Sequence, residues 1–186
     1  FEEGKSLTVG IDYKKEKLEN INKYFEFKVG TVFRDSEEDF IPTSSSLNKK
    51  NSNLFGSATS AISDNIIIDY DFRIDNNYNK FEYNSLNTKF IIENFETNFN
   101  FVEENGETGD ENFLENTSTF NHDEKNSFTF KTRRNRKLNL TEFYDLVYEY
   151  KNDCLVAGIK YNKEYYEDRD LKPSENLLFT LTLFPL

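Results

Sequence analysis

From Leu177 to Leu183 the chain reads as one amphipathic strand. Leu177, Phe179, Leu181 and Leu183 fall on one side of an extended strand, with Thr180 and Thr182 on the other. A helix would scatter these positions round its circumference, whereas a strand lines them up. The segment continues into Phe184, Pro185 and Leu186. In water such a strand is a flat, apolar edge ready to pair with another chain. A closed barrel removes the hazard by pairing its last strand with its first, so the last strand of a barrel is the expectation here.

The same period of two runs through most of the sequence. Ile66, Ile68, Tyr70, Phe72 and Ile74 alternate with Ile67, Asp69, Asp71, Arg73 and Asp75. Phe25, Phe27, Val29 and Phe33 oppose Glu26, Lys28 and Gly30, while Phe95, Phe99 and Phe101 oppose Glu96, Asn98 and Asn100. Tyr144, Leu146, Tyr148 and Tyr150 share a face against Asp145 and Glu149. Alternation and turn residues together predict about eleven strands. They are expected near 6–15, 23–34, 54–62, 65–75, 79–91, 95–102, 113–121, 126–134, 139–150, 154–166 and 176–184.

Composition narrows what such a chain does. With 34 acidic against 23 basic residues, the net charge of −11 disfavours a nucleic-acid partner. Aromatics make up 16% of the residues, too many for a disordered tail. No apolar run approaches the ~20 residues of a membrane-crossing helix. A mean hydropathy of −0.78 is nonetheless compatible with a membrane barrel, whose strands are apolar only at alternate positions.

The links between the expected strands alternate in length. Long ones fall at 35–53, 103–112 and 167–175, with shorter members of that series at 76–78 and 135–138. The others, at 16–22, 63–64, 92–94, 122–125 and 151–153, are mostly tight turns. Bacterial outer-membrane barrels have long extracellular loops and short periplasmic turns. The expected fold is therefore all-β, an antiparallel up-and-down transmembrane β-barrel portion in the bacterial outer membrane. Single-chain bacterial barrels use even strand numbers, so about eleven strands read as part of a larger barrel. Residues 1–186 are expected to be its C-terminal part, with the early strands lying upstream.

Four stretches carry a family resemblance. Residues 139–168 (NLTEFYDLVYEYKNDCLVAGIKYNKEYYED), with RDLKPSENLLFTLTLFPL after them, resemble the C-terminus of the LPS-assembly protein LptD family. Ser6–Tyr13 (SLTVGIDY), Phe25–Asp35 (FEFKVGTVFRD) and the Ser46-Leu47…Lys50…Ser52…Gly56 loop look like the same barrel. The most specific part is Tyr-Glu-Tyr-Lys-Asn-Asp-Cys at 148–154. The resemblance implies a translocon that inserts lipopolysaccharide into the outer leaflet, with no enzymatic activity and no cofactor. It implies a plug lipoprotein similar to LptE as partner, and periplasmic lipid-bridge proteins acting through a periplasmic N-terminal domain lying upstream. It also implies lipid exit through a lateral opening at the last strand, making Leu177, Phe179, Leu181, Leu183 and Pro185 gate residues. The family often carries two adjacent cysteines bridged to the N-terminal domain, whereas this chain has Cys154 alone.

The remaining residues are weighed on their own chemistry. Cys154 follows a turn that the link pattern puts in the oxidising periplasm, which favours a disulfide to a cysteine outside this chain over an inert thiol. Arg133, Arg134 and Arg136 are candidate contacts for lipopolysaccharide phosphates, although a solvated hairpin is the better account of such a run. Asp69, Asp71, Arg73, Asp145 and Glu149 are expected to face the lumen, because Arg on the lipid face at midplane costs ~2–4 kcal/mol. His122 is the only histidine, so no His-based metal cluster is available. No catalytic group is identified. A porin or nutrient receptor, a lipase or protease barrel, and a soluble β binding domain are the competing classes.

Overall fold

The computed structural model describes residues 4–42, 46–106, 109–165 and 172–184. Eleven strands account for most of them: β1 Ser6–Lys17, β2 Asn20–Arg34, β3 Leu54–Ser63, β4 Ile66–Ile74, β5 Phe81–Ile92 and β6 Phe95–Glu104, then β7 Asn112–Asn121, β8 Asn126–Asn135, β9 Leu140–Lys151, β10 Leu155–Glu164 and β11 Ser174–Leu183. Among the described residues there is no helix. The strands pair antiparallel with their sequence neighbours in the order β1 to β11. The expected all-β, up-and-down arrangement is what the chain adopts. The sheet is open, with β1 and β11 as its edges.

Most strand boundaries fall within two residues of those expected from alternation. The first turn is tighter than expected: β1 runs on to Lys17 and β2 resumes at Asn20. Between β4 and β5 the link is longer, 75–80, because Asp75 Oδ1 accepts the backbone N–H groups of Asn79 and Lys80 and holds them in a loop. Cys154 lies within a turn rather than at a strand start. Asn152 Oδ1 accepts from the N–H groups of Cys154 and Leu155, both at 2.9 Å, and turns the chain before β10 begins. The sorted links survive these changes. Links 18–19, 64–65, 93–94, 122–125 and 152–154 alternate with 35–53, 75–80, 105–111, 136–139 and 165–173, and each of the second set is longer than those of the first except 136–139, which equals 122–125.

The chain clusters into two compact units, Phe1–Thr88 with Phe101–Asn112, and Lys89–Asn100 with Phe113–Leu186. In the first, the register sets Lys14 against Glu26, Thr59 and Asp69, and Asp12 against Lys28, Ser57 and Asp71. The alternate positions carry Ile11, Val29, Gly56 and Phe72, or Tyr13, Phe27, Ala58 and Tyr70. One face is thus charged and the other apolar, as period-two pairing requires. In the second unit Glu115, Arg133 and Lys131 share a face with Asp145, Asn162 and Asn176. Its other face carries Phe128 and Tyr148, with ring centroids 5.0 Å apart, and Phe130 and Tyr144 at 5.9 Å.

Burial is inverted relative to a water-soluble domain. Among the described residues the buried apolar side chains are Ala61, Val102 and Phe113, while Glu38, Ser46, Ser52, Asn53, Asp75 and Thr97 are also buried. Leu7, Val9, Ile11 and Tyr13 on β1, and Leu177, Phe179, Leu181 and Leu183 on β11, are about half exposed or more. Leaving one such side chain in water forgoes about 1.5–3 kcal/mol. A handful would offset the roughly 5–15 kcal/mol that holds a typical domain folded.

Link 35–53 is pinned to the end of β2. Arg34 N–H donates to Lys50 O at 2.7 Å and Ser52 N–H to Val32 O at 2.9 Å. The Ser52 hydroxyl, 0% exposed, accepts from Val32 N–H at 2.8 Å and donates to Asn53 O at 2.9 Å. Asn53 N–H in turn donates to Ser46 Oγ at 2.8 Å. Removing a buried hydroxyl strands its partners and costs about 1–3 kcal/mol. Ser52→Ala is therefore expected to lower the thermal midpoint of the full-length protein, while Ser36→Ala in the exposed part of the link leaves it unchanged. Equal midpoints for the two variants would show that the link is held without Ser52.

Candidate functional site

The charged face of the first unit ends in a covered ionic cluster. Arg73 Nη2 donates to Glu104 Oε1 at 3.1 Å, and its Nε lies 3.6 Å from Glu82 Oε2. Asn53 Nδ2 donates to the same Glu82 oxygen at 2.7 Å, tying the pinned link into the cluster. All three charged side chains are mostly covered. Two carboxylates this shielded repel each other unless a cation lies between them, and the bridging guanidinium supplies it. Lower on the face, Thr59 Oγ1 donates to Asp69 Oδ1 at 2.8 Å, and Asp71 stands opposite Ser57. Asp69, Asp71 and Arg73 therefore share one face, and it is the charged one. A groove of about 500 Å³ opens over this face, lined in part by Lys28, Gly30, Phe55, Ser57, Asp71 and Arg73.

Asp75 closes the same end. It is 4% exposed, covered by its own loop. Burial alone would raise its pKa, but hydrogen bonds from the N–H groups of Lys80, Asn79 and Asn77 outweigh burial and hold it below the ordinary 3.8. A carboxylate with a depressed pKa stabilises the fold above its unfolded value, and that contribution is lost as pH falls through the lower folded one.

In the second unit Asp145 accepts from Asn162 Nδ2 at 2.6 Å and lies 2.8 Å from Lys160 Nζ. Glu149 stands between Ser127 and Gly158 on the same face and is exposed. The three arginines do not converge. Arg133 pairs with Glu142 at 2.8 Å and lies 3.8 Å from the Phe113 ring. Arg134 donates to Asn139, and Arg136 lies in the following turn. Cys154 is a free, exposed thiol whose carbonyl accepts from Phe184 N–H at 2.8 Å, so the turn after β9 is joined to the end of β11. Leu177, Phe179, Leu181 and Leu183 occupy one face of β11, opposite Tyr161, Ile159, Ala157 and Leu155. Pro185 lies outside the described residues.

Sequence reasoning passed over Glu82, Glu104 and Asn53, whose cluster assembles from separate strands and leaves no local motif. It also passed over Phe55 and Gly30. Phe55 does carry a signal, an aromatic at a position whose neighbours across the register are glycine and arginine. Chemically, the charged faces offer donors, acceptors and paired ions. Among the described residues no three His, Cys, Asp or Glu side chains gather to hold a metal. No protein-family model matches the chain, and no curated protein is significantly similar to it.

The Asp75 loop sets a pH test. At pH 7, Asp75→Asn is expected to melt below wild type. The gap should close as pH falls below 3.8 and wild-type Asp75 takes up its proton. A gap that is constant with pH would mean that the carboxylate charge contributes nothing.

Proposed function

We propose that this chain is the C-terminal part of an outer-membrane barrel that delivers lipopolysaccharide to the outer leaflet. The observation that carries the membrane half of the reading is the uncovered apolar face of an up-and-down sheet whose other face is charged. Hydrocarbon satisfies the first face and a hydrated lumen the second. Strand lengths agree: the shortest has 9 residues and the longest 15, against about 9–11 needed to cross at a tilt. In this reading 35–53, 75–80, 105–111, 136–139 and 165–173 face outside and the other links the periplasm, which the alternation in link length supports.

The lipopolysaccharide half rests on the resemblance of residues 148–154 and their flanks to the LPS-assembly barrel. That run forms the end of β9 and the turn bonded to β11, next to the strand assigned to the exit. β11 has a partner on one side only, β10, and its apolar face is open. In this reading β11 is the movable wall, the Asp69, Asp71 and Arg73 face lines the path of the polar headgroup, and a plug lipoprotein fills the rest of the lumen. Cys154, exposed at the periplasmic end, forms a disulfide with a cysteine outside this chain.

Locking the seam tests the function. A disulfide between Thr182→Cys and a cysteine on the first strand of the full-length barrel should leave assembly intact and stop lipopolysaccharide from reaching the cell surface. Reductant should restore export. Normal export through a completely crosslinked barrel would refute the exit at β11.

A further inference from the structure

The groove on the charged face of the first unit is bare of side chain at one point of its lining, Gly30. Gly10 and Gly30 face each other across β1 and β2, and neither has a positive φ. A Cβ on Gly30 would meet only Val9 O at 3.5 Å and Gly10 Cα at 3.9 Å, which is ordinary contact. The backbone therefore does not need glycine at position 30, and glycine weakens a strand. What it leaves is space, of the kind found where a ligand approaches a sheet closely.

Phe55 stands next to that space, paired with Gly30 on one side and Arg73 on the other. Phe55 is 42% exposed, beside Lys28, Ser57, Asp71 and Arg73, and Tyr83 also lines the groove. One register step away, Lys28, Ser57 and Asp71 form a row across three strands. Lys28 is shared with Glu26, 2.5 Å away.

A flat apolar ring beside that bare point, edged by an ammonium, a hydroxyl and a carboxylate, suits a particular ligand chemistry. A sugar ring presents one face of C–H groups that packs on an aromatic, and a rim of hydroxyls that both donate and accept. An acyl chain would strip water from the charged rim and give it no partners in return.

We propose that this hollow is a subsite for one sugar ring of a glycan, with Phe55 as the stacking platform and Lys28, Ser57 and Asp71 as hydrogen-bonding partners. Only the identity of the glycan, the oligosaccharide of lipopolysaccharide, rests on the transport reading above.

Purified full-length protein with its plug in detergent is titrated with two probes by saturation-transfer NMR. One is lipid-free core oligosaccharide from the host's lipopolysaccharide, and the other is maltohexaose. Wild type is expected to bind the core oligosaccharide. Phe55→Ala and Gly30→Val should each bind about ten-fold more weakly, and Phe55→Tyr like wild type. Heat-modifiable mobility on gels identifies the variants that assemble, and Gly30→Ala replaces Gly30→Val should the larger side chain prevent assembly. Binding of maltohexaose but not of core oligosaccharide, with the same variant pattern, supports the subsite and counts against lipopolysaccharide as cargo. Binding of neither probe, or equal binding by wild type and assembled variants, overturns the subsite. Loss of the plug from the variants with unchanged sugar binding would show that the hollow seats a protein side chain, which also overturns it.

Discussion

The backbone ladder does the work that a hydrophobic core does elsewhere. Each strand bonds to its sequence neighbours, so the N–H and C=O groups of β2 to β10 are paired from both sides without any second layer of structure, while β1 and β11 are paired on one side. Side chains are then left to two faces with opposite demands. Period two keeps them apart: Asp69, Asp71 and Arg73 cannot share a side with Ile68, Tyr70 and Phe72 without breaking the register, although Ile67 and Phe55 fall on the charged side. Once pairing is fixed, one face is predominantly apolar and the other predominantly polar.

At the end where the longer links gather, polar burial replaces apolar burial. Ser52, Asn53 and Ser46 hold link 35–53 against β2, and Asn53 passes the constraint to Glu82, Arg73 and Glu104. Each group in this chain is shielded and each has a partner, which is the condition under which buried polar networks rigidify rather than destabilise. Asp75 repeats the principle on one loop, its carboxylate collecting backbone N–H groups that no strand could use.

The strands were legible because alternation is local. Eleven runs and their links could be read from neighbours two apart, and the faces of Asp69, Asp71, Arg73 and Asp145 followed directly. The ionic cluster was not legible, because Arg73, Glu82 and Glu104 come from three strands and meet through register rather than spacing. Exact ends were lost where a side chain captures the backbone, as Asp75 and Asn152 do, since such captures extend or shorten a strand without altering its pattern. The grouping of Arg133, Arg134 and Arg136 by sequence proximity also dissolved. Successive strand residues point to opposite faces, so Arg133 meets Glu142 while Arg134 meets Asn139.

The central claim is that the apolar face lies in hydrocarbon and the charged face in a hydrated lumen. Spin labels placed one at a time at residues 144–150 of the full-length protein in bilayers measure this directly, through collision with oxygen and with a water-soluble nickel chelate. The account predicts a period of two, with labels at 144, 146, 148 and 150 accessible to oxygen and those at 145, 147 and 149 to the chelate. Chelate access to both sets, or no alternation, would contradict it.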